Sequence, residues 1–544
     1  MSNAASMSAR WSSLSSVGGW IVALAWPLIG GVILGMSIAL FVSEPAWHDP
    51  TWYLYGARRM LDGAAIYRTE IVDVNPPLII WLSAIPVVLG HVLGITSFVA
   101  LKAILAALIA GSIVWCLSIV YRLQTIKSNL FVWWLGIALV AVFAGRLPAA
   151  EFVFAQREHF LAALILPYVF LAAARLGGRT VPRLEAILIG AAAALGVCLK
   201  PYDLLIVLAL EAVIAWRLRK FNNFVRPELV ALALVGLAYV GAVLIFMPDY
   251  IFKIAPLARD GYLDWARVPL SRTVTLSHLL KLIALTVVYI AAFRRLRYES
   301  LVTVLLFGGY GALGAYLLQH KDFPYQLLPE LILTTLAASV IVIDILLQVL
   351  DAWGIPLQRP KKLAAGVAFV SCVVAAFAFN SILRARLAPG FAAEKTYRSV
   401  TADLPPGSAF YEMSPIGDPY VFSAAMKNRF MWGSRFAHLW MMETILQSEV
   451  GHEGGPEHEA RAARLADYVR NSIVDDFERW HPAAVFVERC ADTSIAPCLS
   501  LEAFRVDLLN WFLRDPRFAQ IWSNYKFRAH VERYDVYMRD NPRR

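Results

Sequence analysis

Charge is scarce in this chain. Asp, Glu, Lys and Arg make up 17% of the 544 residues against 59% hydrophobic, and the mean hydropathy is +0.58. A soluble globular domain carries about a quarter charged residues, so that class is excluded. Cysteine is also scarce, with five residues in all, too few for a disulfide-built scaffold. Cys116, Cys198 and Cys372 fall in apolar stretches and read as packing residues. Cys490 and Cys498 stand eight apart in the polar tail; they either pair outside the cytoplasm or remain thiols. The tail has no glycine-rich phosphate loop and no metal-ligand cluster of known spacing. No clear internal repeat runs along the chain, which weighs against a transporter. No small-residue cleavage site follows the first apolar run, Val17 to Val42, so it is expected to be a retained span and not a signal peptide.

What the chain has in abundance is apolar sequence. Windows approaching or exceeding the roughly 20 residues a spanning helix needs lie at about 18–42, 97–121, 129–145, 160–174, 184–199, 204–216, 228–248, 276–293, 300–318, 327–350 and 363–384. They predict a polytopic α-helical membrane protein of about eleven spans. Around Lys200-Pro201-Tyr202-Asp203 two short windows adjoin, as a tight hairpin or a broken helix. Pro77 to Leu93 is read as a helix lying at the interface. The net charge of +10 does not imply nucleic acid, because the basic residues sit in short loops between apolar segments. Loops with Arg175, Arg179, Arg183, Arg217, Arg219 and Lys220 have few acids and predict the cytoplasmic side. The opposite loops mix both signs, with Asp49, Asp73, Glu158 and Asp203 among the acids, and mixed charge there suggests a site.

The division expected from composition is a transmembrane catalytic domain over 1–384, with a first external loop at 43–76, and a soluble α/β domain over 385–544 on the same far side. Within the latter, Ser408–Met413 and Ala483–Glu488 read as strands, Ala460–Trp480 as a helix, and Tyr525–Met538 as a strand or hairpin. Gly451 to His458 reads as a loop.

The first external loop carries the chemistry. Asp49-Pro50 is a helix start and Gly63 a helix stop. Between them Tyr53, Leu54, Ala57, Met60 and Leu61 form an apolar face, with Arg58, Arg59 and Asp62 polar. Asp49 either only caps this helix or also serves as a general base at the membrane surface; a helix N-terminus holds a carboxylate ionised in both cases. Trp47, Trp52, Tyr53 and Tyr55 form an interfacial belt or a platform for sugar and lipid. Ionisable groups at the far-side ends of spans are the other candidates. These are Arg157, Glu158 and His159; Lys200, Tyr202 and Asp203; and His320 and Lys321. A phosphate leaving group needs fixed cations, a role that fits Arg157, Lys200 and Lys321 if they are not simply snorkelling or locally paired.

The loop sequence, an Asp followed by Tyr, Ala57-Arg58, Leu61-Asp62-Gly63, Tyr67 and then Pro76-Pro77-Leu78, resembles the GT-C superfamily of membrane glycosyltransferases. It is similar to the protein O-mannosyltransferase and lipid A aminoarabinose transferase branch and to related bacterial polyprenyl-phosphate-sugar transferases. Residue matches lie within about 49–82, while the order of elements agrees over most of the membrane part. The resemblance implies a polyprenyl-phosphate-sugar donor, a periplasmic acceptor (envelope lipid, glycan or protein), a bacterial inner-membrane location and Asp49 as catalytic base. His48, Tyr53, Arg58, Asp73, Glu158, His159, Tyr202 and His320 are then expected to contact substrate. Many members carry two adjacent acids where this chain has His48-Asp49-Pro50, so use of a divalent metal does not follow. Two other classes stay open: a transporter or flippase of a lipid-linked sugar, and a non-catalytic membrane scaffold.

Overall fold

The computed structural model describes residues 48–123, 129–146, 155–219, 225–263, 268–321, 323–353, 392–450, 455–492, 494 and 505–540. The expected spans at 18–42 and 363–384, with Trp47, Cys372 and Cys498, lie outside these residues. The chain divides into two compact units. One comprises Met1–Val42, Leu101–Tyr239 and Val268–Ala385; the other comprises Ser43–Ala100, Val240–Arg267 and Arg386–Arg544.

Every expected window within the described residues is helical. Six helices there are long and apolar enough to cross a membrane: Ser97–Arg122, Arg157–Leu176, Pro227–Phe246, Leu276–Arg295, Glu299–Gln319 and Pro324–Ala352. Three more, Asn129–Arg146, Arg183–Leu199 and Leu204–Leu218, are shorter. Backbone groups in hydrocarbon must be satisfied internally, which is why these apolar runs take the helical form.

At the centre of the first unit is Arg157–Leu176, with nearly every side chain after Arg157 buried. It packs on Arg183–Leu199, Leu204–Leu218, Glu299–Gln319 and the closing helix Leu328–Ala352. Small residues permit the close approaches. A Cβ on Gly311 would meet the Leu205 carbonyl oxygen at 2.5 Å, and one on Gly190 would clash with the Glu228 carbonyl oxygen. Several buried charges in this unit are paired or hydrogen-bonded. Arg175 donates to both oxygens of Glu228, at 2.8 and 2.9 Å, and Tyr168 to Glu211 at 2.7 Å. Asp344 accepts the Arg297 and Tyr298 amides at 2.6 and 3.2 Å, satisfying the start of Glu299–Gln319.

The second unit is built on a mixed five-stranded sheet in the order β2-β1-β3-β5-β4. The strands are β1 (Ala409–Met413), β2 (Met431–Trp432), β3 (Ala484–Glu488), β4 (Tyr525–Val531) and β5 (Tyr534–Arg539). β1 pairs in parallel with β2 and β3, Phe410 lying opposite Ala484; β5 runs antiparallel to β3 and β4. β1 and β3 are buried along their whole length, as expected of apolar strands covered on both faces. The long helix Pro456–Trp480 starts before the expected Ala460, because Pro456 suits a first turn and Glu457 and Glu459 favour its positive end. Cys490 is buried and disulfide-bonded. The helix Leu78–Leu93 belongs to this unit; its 16 residues reach about 24 Å, short of a hydrocarbon core of about 30 Å.

Candidate active site

The first-loop helix spans His48–Leu61. Asp49 therefore lies within its first turn, one position inside where a cap was expected, and is half-buried. A carboxylate here is still favoured by the exposed amides of the helix start. The helix stops as expected before Gly63, whose φ of 85° few other residues accept. Tyr53 and Ala57 form part of its buried face. Tyr53 accepts a hydrogen bond from Asn75 Nδ2 at 3.1 Å. The Asn75 amide donates to Asp73 Oδ1 at 2.7 Å, and Tyr67 donates to the Asn75 carbonyl at 2.8 Å. The loop thus brings Tyr53 and the buried Asp73 together through Asn75, which is held before Pro76-Pro77. Arg58 is exposed, while its neighbour Arg59 pairs with the buried Glu70 at 2.9 Å. His48 begins the helix, and its side chain lies outside the described residues.

The aromatic residues of this helix differ from expectation. Trp52 is buried, stacked on Tyr55 at 5.9 Å and edge-on to Phe422 at 6.0 Å. Tyr55 donates to the Trp432 carbonyl at 3.2 Å, and burial pushes its phenol up to about 12. Their apolar area is covered by the C-terminal sheet domain, so Trp52 and Tyr55 form neither an interfacial belt nor an open platform.

In the other unit, Arg157 and Glu158 open the central helix. The break between Arg183–Leu199 and Leu204–Leu218 falls at Lys200, which is extended at φ −147° and ψ 90°. Pro201 disfavours helical backbone at the residue before it, so the sequence itself sets this break. Lys200 and Glu158 are both buried and form an ion pair. The Lys200 ammonium also lies 5.9 Å from the Tyr325 ring centre. Arg157 reaches the Leu199 carbonyl at 3.5 Å. Asp203, buried in the short turn Pro201–Asp203, lies in the field of Lys200, Glu158 and Arg157. Arg157, Glu158, Lys200 and Asp203 therefore form one cluster, balanced in charge. His159 is fully buried beside it in sequence; Tyr202 is exposed. His320 ends Glu299–Gln319 in the left-handed conformation at φ 49°, and Lys321 after it is buried.

Residues that the sequence did not single out as site members are Arg59, Glu70 and Asn75, together with Arg435 and Arg479 of the C-terminal domain. For the last two no local signal exists, since their partners in the first loop are hundreds of residues away. Among the described residues no group of three or more His, Cys, Asp or Glu is disposed to hold a metal ion.

No family model and no curated protein sequence matches the chain. Solved structures do. The chain is similar to ArnT from Cupriavidus metallidurans bound to undecaprenyl phosphate, with TM-score 0.56 and 12% identity, covering 95% of this chain and 98% of that one. It also matches the archaeal oligosaccharyltransferase AglB from Archaeoglobus fulgidus, in complex with an inhibitory peptide and a dolichol-phosphate. That likeness has TM-score 0.35 and 12% identity over 86% of this chain and 69% of the other. At such identity the first likeness is one of fold, extending over nearly the whole of both chains.

Proposed function

We propose that this protein is a membrane glycosyltransferase that moves a sugar from a polyprenyl-phosphate-linked donor to a periplasmic acceptor, an envelope lipid, glycan or protein, at the bacterial inner membrane. The observation that carries this reading is the fold, shared end to end with a structure that holds undecaprenyl phosphate. The carboxylate of Asp49 in the first turn of the first-loop helix supports it further, since a transferase of this kind needs a base at the membrane surface.

The reaction is an inverting displacement. Asp49 takes the proton of the acceptor hydroxyl or amine as the new bond to the anomeric carbon forms. The bond from that carbon to the phosphate oxygen breaks, and polyprenyl phosphate leaves with the electron pair. Cations that neutralise the leaving phosphate are Arg157, Lys200 and Lys321. Lys200 is oriented for this by Glu158, and the buried setting of Lys321 strengthens its field. Tyr53 and Asp73, fixed through Asn75, supply hydrogen-bonding groups for acceptor or sugar hydroxyls, as do His48, Arg58, His159, Tyr202 and His320. Domain 385–544 stands on the same side as the first loop.

The test is donor-dependent transfer by Asp49→Asn. Loss of a positioned base costs about 10²- to 10⁴-fold, so turnover is expected to fall by that factor in folded protein. Undiminished turnover overturns the assignment of Asp49. Transport of the labelled lipid-linked sugar in proteoliposomes, with no covalent product, overturns the transferase reading.

A further inference from the structure

The first loop is bent in a way its own residues disfavour. Tyr67 and Ile71 take φ values of 65° and 52°. A β-branched side chain such as Ile71 enters this left-handed region only when its surroundings impose it. A single bridge between Ile66 and Glu70 closes the turn, and Ile66 and Ile71 are both buried.

The residues on either side of Ile71 are held by the C-terminal domain. Before it, the buried Glu70 accepts from Arg59 at 2.9 Å and from Arg479 at 2.5 Å. Both guanidinium groups also lie over the Trp480 ring, at 5.7 and 4.5 Å. After it, the Val72 amide donates to the Arg435 carbonyl at 2.7 Å. Arg435 is itself fixed on Asp476, through its amide at 3.0 Å and its guanidinium at 2.9 Å. Asp476, Arg479 and Trp480 share the last turns of Pro456–Trp480, at the three- and four-residue spacing that puts side chains on one helix face. One helix end therefore grips the loop before and after its strained residue. Asp73, Asn75 and Tyr53 follow directly from that grip.

We infer that the C-terminal domain is a positioning element for transfer: Glu70–Arg479 and Val72–Arg435 hold the first loop in its strained bend, which sets Asp73, Asn75 and the helix that carries Asp49. This rests on the glycosyltransferase reading, and Glu70 and Arg479 are positioning residues in it, not groups that touch substrate. A misplacement of about 1 Å can cost about 100-fold in rate.

The experiment uses full-length protein in two arms. The first measures amide hydrogen exchange over residues 64–77 in purified Glu70→Gln, Arg479→Gln and Arg479→Lys. The second places the same variants in a strain lacking the chain and reads, by mass spectrometry, the envelope glycan or lipid lost on deletion. Arg470→Gln, which breaks a contact on the same helix at Glu449 and Trp511, controls for general loosening of the domain. Glu70→Gln and Arg479→Gln are expected to speed exchange at Val72 roughly tenfold or more and to restore about a tenth of the product or less. Arg479→Lys is expected to restore most of it, and Arg470→Gln to leave both readouts unchanged. Unchanged exchange, or full product despite faster exchange, overturns the inference, as does an equal loss in Arg470→Gln. A deletion that alters no envelope component overturns the glycosyltransferase reading instead, and fast exchange then marks a structural tie without a role in transfer.

Discussion

Breaking the Glu158–Lys200 pair is expected to destabilise the membrane unit by more than the pair is worth. Glu158 is 0% exposed and Lys200 3%. Two unit charges in contact at about 3 Å attract by about 5 kcal/mol at an effective dielectric of about 20. Desolvation offsets most of that, so replacing both residues is nearly neutral. Removing one leaves a buried charge without its partner and costs about 3–5 kcal/mol. Asp203, in the same field, recovers part of this for Lys200 but nothing for Glu158. Lys200→Met is therefore expected to be the more harmful variant, and Glu158→Gln the milder. For a unit of this size about 3 kcal/mol corresponds to a fall in apparent melting temperature of roughly 5 °C. Thermal melts of the purified protein in detergent, run as a double-mutant cycle with Glu158→Gln/Lys200→Met, read both the order and the non-additivity. Shifts of the two single variants that simply add in the double refute the reasoning.

Three further outcomes follow from other parts of the molecule. Burial, opposed by Arg435, leaves the Asp476 carboxyl up at about 6 against an ordinary 3.8. The folded domain thus binds the extra proton between about pH 4 and 6, and this group's stabilising contribution is present below that window and lost as pH rises through it. At about 1.4 kcal/mol per pH unit the loss is about 3 kcal/mol, and chemical denaturation followed by tryptophan fluorescence should show the slope flattened in Asp476→Asn. Gly311→Val drives new atoms into the Leu205 carbonyl and should cost about 1–3 kcal/mol, read as a lower melting temperature in detergent; an unchanged melt contradicts the close packing. Arg175→Met removes both hydrogen bonds from the Glu228 carboxylate and leaves it the longer contact with Arg226 at 3.6 Å; a loss of about 1.5–3 kcal/mol is expected, against a smaller change for the double Arg175→Met/Glu228→Leu.

The helical windows were legible because a run of apolar residues in a membrane has one way to satisfy its backbone. The break at Lys200 was legible for a similarly local reason, the effect of Pro201 on the residue before it. In the C-terminal domain the strands β1 and β3 fell where runs of apolar and aromatic residues placed them. Trp52 and Tyr55 misled because an aromatic side chain looks the same whether lipid, sugar or protein will cover it. Here Phe422 and Trp432 cover it.

Local chemistry along the chain thus determined where helices start and stop, how apolar they are, and that one acidic loop with Asp49 follows the first apolar run. It did not determine which charges meet. Glu158 and Lys200 are 42 residues apart, Tyr55 and Trp432 are 377 apart, and Glu70 and Arg479 are 409 apart. A side chain's partner at such separations is set by the path of the folded backbone and the packing of whole helices, for which composition and spacing hold no record. The acidic loop was visible as a sequence; its strained bend at Ile71, and the helix end that grips it, exist only once the distant C-terminal domain has folded around it.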